Sequence, residues 1–188
     1  MRLQGTMTFS SQRGQIKSIT AEEGVLASLS AHKYFISHDQ NWKFNAVLEP
    51  IFPLLPTIMP PHGNLDVKLS AALTPRLDAD IPGSIVLVGG RPRGSEGNLP
   101  LRGYPLGVFK TRAGGVAQFE YRLPLAQTFN GYDTWPLFFK NFGAFIFYDT
   151  AKVIQFKGTR AGVWSVPLNA YGGGLIANTV LGYQFPFS

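Results

Sequence analysis

The stretch VAQFEYRL, residues 116–123, decides the fold class of this chain. Apolar and polar residues alternate strictly along it, from Ala117 to Leu123. A period of two places one set on each face of a β-strand, whereas a helix would require spacings of three and four. The stretch is therefore predicted to be a strand with one apolar face and one polar face.

The same alternation recurs in four earlier stretches: LQGTMTFS (3–10), GVLASLSAH (24–32), NWKFNAVLE (41–49) and DVKLSAAL (66–73). Further candidate strands cover residues 83–90, 142–149, 160–168, 170–178 and 179–187. Clusters of Pro, Gly, Asn and Asp separate many of these candidates, at 52–64, 74–83 and 129–133. No convincing helical pattern is present. The pattern predicts an all-β, antiparallel, up-and-down fold.

The composition excludes several classes of function. Cysteine is absent, which rules out disulfides, zinc–thiolate sites and thiol nucleophiles. The formal net charge is +6, but the cations are spread from Arg2 to Arg160 without a run of five. Because a nucleic-acid interface concentrates its cations on one surface, no nucleic-acid partner is predicted.

Two environments accept strands of this type. In a soluble sandwich the apolar face points inward, whereas in a membrane barrel it meets lipid and the polar face lines the lumen. Charged residues make up 15% of the chain, against roughly 25% in ordinary soluble domains. The candidate strands are often long enough to cross a bilayer, and aromatic residues occur near several strand ends. These features favour the membrane barrel, with the sandwich as the alternative.

The loop around NLPLRGYPLGVF (98–109) and the strands after it resemble the bacterial surface-antigen family of outer-membrane barrels. The family includes BamA/TamA-like assembly barrels and two-partner secretion transporters. Its signature is a Gly-Gly pair after a strand, then a loop with an aliphatic–Arg–Gly–aromatic tetrapeptide, then strands with conserved polar positions. The matching residues are Gly89, Gly90, Leu101, Arg102, Gly103, Tyr104, Glu120, Arg122, Pro124 and Asp149.

The resemblance implies a non-enzymatic integral protein of the outer membrane that inserts or translocates polypeptides. Its implied partners are the lipid bilayer, client polypeptides and proteins of an assembly complex, and no cofactor is implied. Residues 1–188 would form a single barrel domain, the C-terminal portion of a larger barrel. Periplasmic modules and one or more final strands would then lie outside this chain. The segment between Gly90 and Arg102 has eleven residues, which is longer than expected for the family.

In the family the loop folds into the lumen, where its arginine meets an acidic residue on the inner wall. Asp149 alternates with the apolar Ile146 and Tyr148, so in a membrane barrel it must point inward. Guanidinium and carboxylate groups can pair through two hydrogen bonds. We therefore expect Arg102 to pair with Asp149, with Glu120 as an alternative or additional partner. The competing interpretation is a solvated loop arginine and an ordinary Asp at a strand end.

Roles can also be predicted for the other residues of the tetrapeptide, for the glycines 172–174 and for the histidines and loop aspartates. Gly103 is expected to let the backbone turn or approach the wall, and Tyr104 to anchor the loop tip through its hydroxyl. The glycines 172–174 are expected to serve strand curvature or close packing. The three histidines and the two loop aspartates lack metal-site spacing, and no metal is predicted; they are His32, His38, His62, Asp78 and Asp80.

Two further functions remain open. The barrel could be a membrane anchor or pore for a catalytic domain that lies outside this chain. Alternatively, the chain could be a soluble β-sandwich that binds a small apolar ligand.

Overall fold

The computed structural model describes residues 2–13, 23–36, 39–53, 63–75, 85–90, 99–105, 107–131, 137–156 and 163–181. These residues form nine strands and no helix: β1 (Arg2–Ser10), β2 (Gly24–Ile36), β3 (Asp39–Pro53), β4 (Asn64–Leu73), β5 (Val86–Val88), β6 (Phe109–Thr111), β7 (Ala113–Gly131), β8 (Leu137–Phe156) and β9 (Val163–Leu181). Across the described ranges, no helix has the length and hydropathy needed to span a membrane.

Seven strands form one sheet in the order β1-β2-β3-β4-β7-β8-β9, and every neighbouring pair is antiparallel. Apart from the insertion of β5 and β6 between β4 and β7, spatial order follows chain order. The prediction of an all-β, antiparallel fold is confirmed. In the described residues β1 and β9 are the two edges of an open sheet.

Two predictions about individual strands are wrong. The candidates at 160–168, 170–178 and 179–187 are joined, over their described residues 163–181, in a single strand, β9. Gly172, Gly173 and Gly174 keep the ladder with β8 instead of interrupting it. The candidate at 83–90 is not a strand of the large sheet. Among its described residues 85–90, Val86–Val88 form the strand β5, which pairs with β6 in a separate two-stranded sheet.

The two faces of the large sheet differ sharply in chemistry. Directly opposed residues of antiparallel strands point to the same side, so the register defines each face. We call the side that carries Leu29, Phe119 and Ile146 the open face, and the opposite side the loop-covered face. The open face exposes large apolar side chains from every strand of the sheet: Leu3, Met7, Phe9, Leu29, Trp42, Phe44, Leu48, Phe52, Leu69, Leu73, Phe119, Ile146, Tyr148, Tyr171 and Leu175.

We call the segment between β4 and β7, residues 74–112, the covering loop. Its described part, residues 74–75, 85–90, 99–105 and 107–112, packs on the polar side of the sheet. Its apolar residues Val86, Val88, Leu99 and Leu101 are buried. These four residues form one core cluster with five residues of the sheet: Ala72, Val116, Ala151, Val153 and Leu168. The core of the described residues therefore lies between the covering loop and the loop-covered face.

Polar contacts attach the base of the covering loop to β3. The Lys43 ammonium donates a hydrogen bond to the carbonyl of Ile85 over 3.0 Å, although Lys43 is only 3% exposed. The Asn41 amide donates to the Thr74 hydroxyl over 3.2 Å. At the other end of the loop, the Arg112 carbonyl accepts from the Thr74 N–H over 2.8 Å. These bonds hold the start and the end of the loop together beside the sheet.

Candidate functional site

The local backbone of the covering loop directs Arg102 toward the sheet. Leu101 is fully buried in the core cluster, and its N–H donates to the carbonyl of Gly90 over 3.2 Å. The next residue, Gly103, has a φ of 80°, a left-handed conformation that glycine adopts without steric cost. The chain thus turns immediately after Arg102, which places its side chain against β7 and β8.

The Arg102 guanidinium makes a two-point contact with Asp149 on β8. Nε donates to Oδ2 over 2.8 Å and Nη2 donates to Oδ1 over 2.6 Å. The backbone N–H of Arg102 donates to Oδ2 of the same carboxylate over 3.2 Å. Asp149 is 0% exposed and the Arg102 side chain 14%. Such a paired geometry fixes the orientation of the loop as well as its distance from the wall.

Glu120 on β7 completes the contact, because Nη1 of Arg102 donates to its Oε2. Both acidic residues proposed from the sequence therefore contact Arg102 at the same time. Burial acts to lower the pKa of Arg102, but its hydrogen bonds to the Asp149 and Glu120 carboxylates outweigh burial and raise that pKa above the ordinary value. The guanidinium is fully charged in this setting.

Two neighbours that the sequence did not suggest complete the surroundings of Arg102. Its Cζ lies 3.8 Å from the centroid of the Phe147 ring, a cation–π arrangement. Gln118 donates from Nε2 to Asp149 Oδ2 over 3.2 Å. Phe147 lies two residues before Asp149 and on the same face of β8, so the period-two alternation could have indicated that it lies near Arg102. Gln118 faces Asp149 only through the β7–β8 register, which the sequence does not reveal.

A row of ion pairs continues from Glu120 across the loop-covered face. Arg122 Nε donates to Glu120 Oε1 over 2.6 Å, and Arg122 Nη2 lies 3.5 Å from Asp66 Oδ2. Lys68 Nζ lies 3.2 Å from Glu49 Oε2. The row lines a cavity of about 390 Å³ next to Arg102. The charged side chains of this part of the loop-covered face are thus paired with one another.

The other motif residues occupy distinct positions. Tyr104 packs against the core cluster and donates from its hydroxyl to the Asn169 carbonyl on β9 over 3.2 Å. Gly89 and Gly90 have φ values of 117° and 67° and follow β5, where they turn the loop. Pro124 lies on β7 beside a register shift, away from Arg102. A proline lacks the N–H that a regular ladder needs, which accounts for an irregularity there.

The triple glycine makes room for aromatic rings of β8. A Cβ at Gly172 would lie 2.8 Å from Cε1 of Phe147, and one at Gly174 would lie 2.8 Å from Cε1 of Phe145. The expected role in close packing therefore corresponds to a specific contact. Gly172 accommodates the ring on which the Arg102 guanidinium rests.

Of the residues considered as metal ligands in the sequence analysis, His32 lies in the part of the chain that the structure describes. His32 is buried on the loop-covered face and stacks on Tyr34, with ring centroids 6.4 Å apart. His38, His62, Asp78 and Asp80 lie outside the described residues. Within the described ranges, no group of three or more His, Cys, Asp or Glu side chains could hold a metal ion.

Comparison of the chain with family models, with curated proteins and with solved structures finds no match. The surface-antigen resemblance therefore remains a hypothesis, which rests on the motif residues quoted above. Chemically, the Arg102 site is a clamp of fixed charges: it can hold the covering loop against two adjacent strands.

Proposed function

We propose that this chain forms part of the wall of an outer-membrane β-barrel of the surface-antigen type, which inserts or translocates polypeptides without enzymatic activity. The seven-stranded sheet is membrane wall, and the covering loop occupies the lumen. Arg102 holds the loop against β7 and β8 and so stiffens this part of the wall. The lipid bilayer is the direct partner, and client polypeptides and assembly-complex proteins are the further partners that the resemblance suggests.

The single observation that carries the membrane part of the proposal is the inverted polarity of the sheet. Phe119 is 38% exposed and Ile146 is 64% exposed, while Asp149 is 0% exposed. A soluble protein places such side chains the other way round, because exposed apolar patches larger than a few hundred Å² are rare. In a bilayer the same arrangement is favourable, since lipid solvates the apolar face and the charged groups stay with the lumen.

The position of the covering loop favours the barrel over the soluble sandwich. In a sandwich the second layer packs on the apolar face of the first sheet. Here the small β5–β6 sheet packs on the polar face, and the apolar face remains open in the described residues. The alternative, an anchor or pore for a catalytic domain outside this chain, would have the same wall but no client polypeptide.

Membrane behaviour is tested first, by expressing the chain with an outer-membrane export signal and fractionating the cells. We expect the chain in the outer-membrane fraction, extracted only by detergent, with a gel mobility that changes on heating. A freely soluble monomer without heat modifiability would contradict the proposal and support the sandwich.

Polypeptide handling is tested separately in phosphatidylcholine vesicles that contain the purified chain. An unfolded outer-membrane barrel protein is added, and its folding rate is compared with that in empty vesicles of the same composition. We expect faster folding when the chain is present. Equal rates, with the chain correctly inserted, would support the anchor or pore instead.

A further inference from the structure

The open face carries a shallow apolar groove across β3, β4, β7 and β8. Leu48 and Leu69 form one wall, and the floor is made of the small residues Ala71, Gly115 and Ala117. Its volume is about 480 Å³. A groove of this size accommodates part of a hydrocarbon chain rather than a compact polar ligand.

The cross-strand register places a cation at one end of this groove. Ala71 pairs with Gly115, and Gly115 pairs with Lys152 on β8, so these residues form one row across the open face. Lys152 is exposed, and in the described residues its ammonium has no ion-pair partner. One row away, Leu69 pairs with Ala117, which pairs with Thr150. The groove therefore has a hydrocarbon floor that ends at an available positive charge.

The position of the charged side chains of the open face indicates which end of the sheet meets a headgroup region. On the described side chains of β2–β4, β7 and β8, this face has two charged residues, Lys33 and Lys152. Both lie near the end of the sheet from which the covering loop leaves. Lys33 Nζ lies 5.1 Å from the ring centroid of Trp42 there. Tryptophan and lysine together are typical of a membrane–water boundary.

We infer that the groove binds an anionic lipid: its headgroup phosphate pairs with the Lys152 ammonium, and one acyl chain lies over Ala71, Gly115 and Ala117. The inference rests on the proposed function, since it requires the open face to meet lipid. It adds selectivity for anionic over zwitterionic lipid, because the Lys152 ammonium at the end of the groove attracts a net negative charge. An ammonium at the membrane surface attracts anionic lipid. The small floor residues let an acyl chain lie closer to the sheet than it can over Leu48 and Leu69.

The experiment measures lipid retention by native mass spectrometry of the full chain in detergent, with dioleoylphosphatidylglycerol and dioleoylphosphatidylcholine added in equal amounts. We expect preferential retention of phosphatidylglycerol. Lys152→Gln is expected to lower that preference about fivefold, since one lysine near an anionic surface contributes on that scale. Lys110→Gln is the matched control, because Lys110 is an exposed lysine of the covering loop. It should leave the preference unchanged.

A second variant tests the groove itself. Ala71 is exposed, so Ala71→Leu fills the floor without disturbing the core, and we expect it to reduce retention of both lipids. Equal retention of the two lipids by the wild-type chain, or an unchanged preference in Lys152→Gln, would overturn the inference, as would full retention by Ala71→Leu. These results are separable from failure of the proposed function, which appears as a chain that is soluble and monomeric without detergent.

Discussion

Arg102 contacts three side chains, and these contacts require an arginine. Its nitrogens reach Asp149 and Glu120 together, while its planar face lies on the Phe147 ring. A lysine presents a single point charge and cannot donate in this fork geometry. The carboxylate of Asp149 is completely buried, so loss of its partner leaves an uncompensated charge beside the core cluster.

Charge reversal tests this clamp. Arg102→Asp and Asp149→Arg should each weaken loop attachment by about 3–5 kcal/mol, the usual cost of breaking a buried ion pair. The double variant should recover part of this loss, because it restores opposite charges at the two positions. The measurement is hydrogen exchange at the Leu99 amide, which donates to the Leu87 carbonyl within the loop over 2.8 Å.

Arg13→Asp serves as the control for the charge reversal, since Arg13 is an exposed arginine far from the loop. It should leave exchange at Leu99 unchanged. If the double variant exchanged as fast as the worse single variant, direct pairing of Arg102 with Asp149 would be refuted.

At the scale of elements, β8 and β9 form an interlocked pair. The rings of Phe145 and Phe147 lie where side chains at Gly174 and Gly172 would otherwise stand. Glycine weakens an isolated strand, but here an aromatic ring from the neighbouring strand covers each site and restores packing. The covering loop then rests on this pair, through Arg102 on Phe147 and through Tyr104 on Asn169.

Gly172→Ala tests the interlock, because the new methyl group would displace the Phe147 ring from beneath Arg102. We expect a loss of about 1–3 kcal/mol in the free energy of unfolding, together with faster exchange at the Leu99 amide. Gly115→Ala is the matched control, since a Cβ there would lie an ordinary 3.6 Å from the Ser70 carbonyl oxygen.

Phe147→Leu added to Gly172→Ala should regain part of the lost stability by relieving the overlap. Equal effects of Gly172→Ala and Gly115→Ala would show that the Phe147 ring does not depend on the glycine.

At the scale of the whole molecule, the sheet has its core on the polar side and leaves its apolar side open. The covering loop buries a small number of apolar side chains of the sheet, which lie on β4, β7, β8 and β9. The remaining large apolar side chains have no protein layer over them in the described residues. The environment of the open face therefore decides whether the fold is stable.

Leu29→Arg distinguishes the possible environments of the open face. Leu29 is 55% exposed near the middle of β2. In a bilayer the substitution should cost about 2–4 kcal/mol, as it does at the lipid-facing midplane of barrels. In a soluble protein it should change stability by about 0.5 kcal/mol or less.

The free energy of unfolding is measured by urea titration of the chain in phosphatidylcholine vesicles. Ser28→Arg is the control, because Ser28 is the neighbouring residue on the other face and should tolerate a charge better. A smaller effect at Leu29 than at Ser28 would contradict the assignment of the open face to lipid.

The sequence by itself determined the β class and the two faces of the alternating strands. Period-two alternation is local, so the all-β class and the position of Asp149 on the face opposite Ile146 and Tyr148 could be predicted from neighbours in the chain. Arg102, Gly103 and Tyr104 could be selected because a charged and glycine-containing motif stands out in a chain with few charges. Asp149 and Glu120 could be named as partners of Arg102 only through the family resemblance.

Only the tertiary structure decided how these residues are combined. The sequence left open whether Glu120 is an alternative to Asp149 or an additional partner of Arg102, and the structure shows both contacts at once. It did not predict that Gln118 and Phe147 join them, or that Gly172 makes room for the ring. It also gave residues 83–90 as a candidate strand of the up-and-down fold, whereas β4 pairs directly with β7. The reason is physical: strand register and loop path depend on contacts between residues far apart in the chain, and alternation carries information about faces but not about which strands are neighbours.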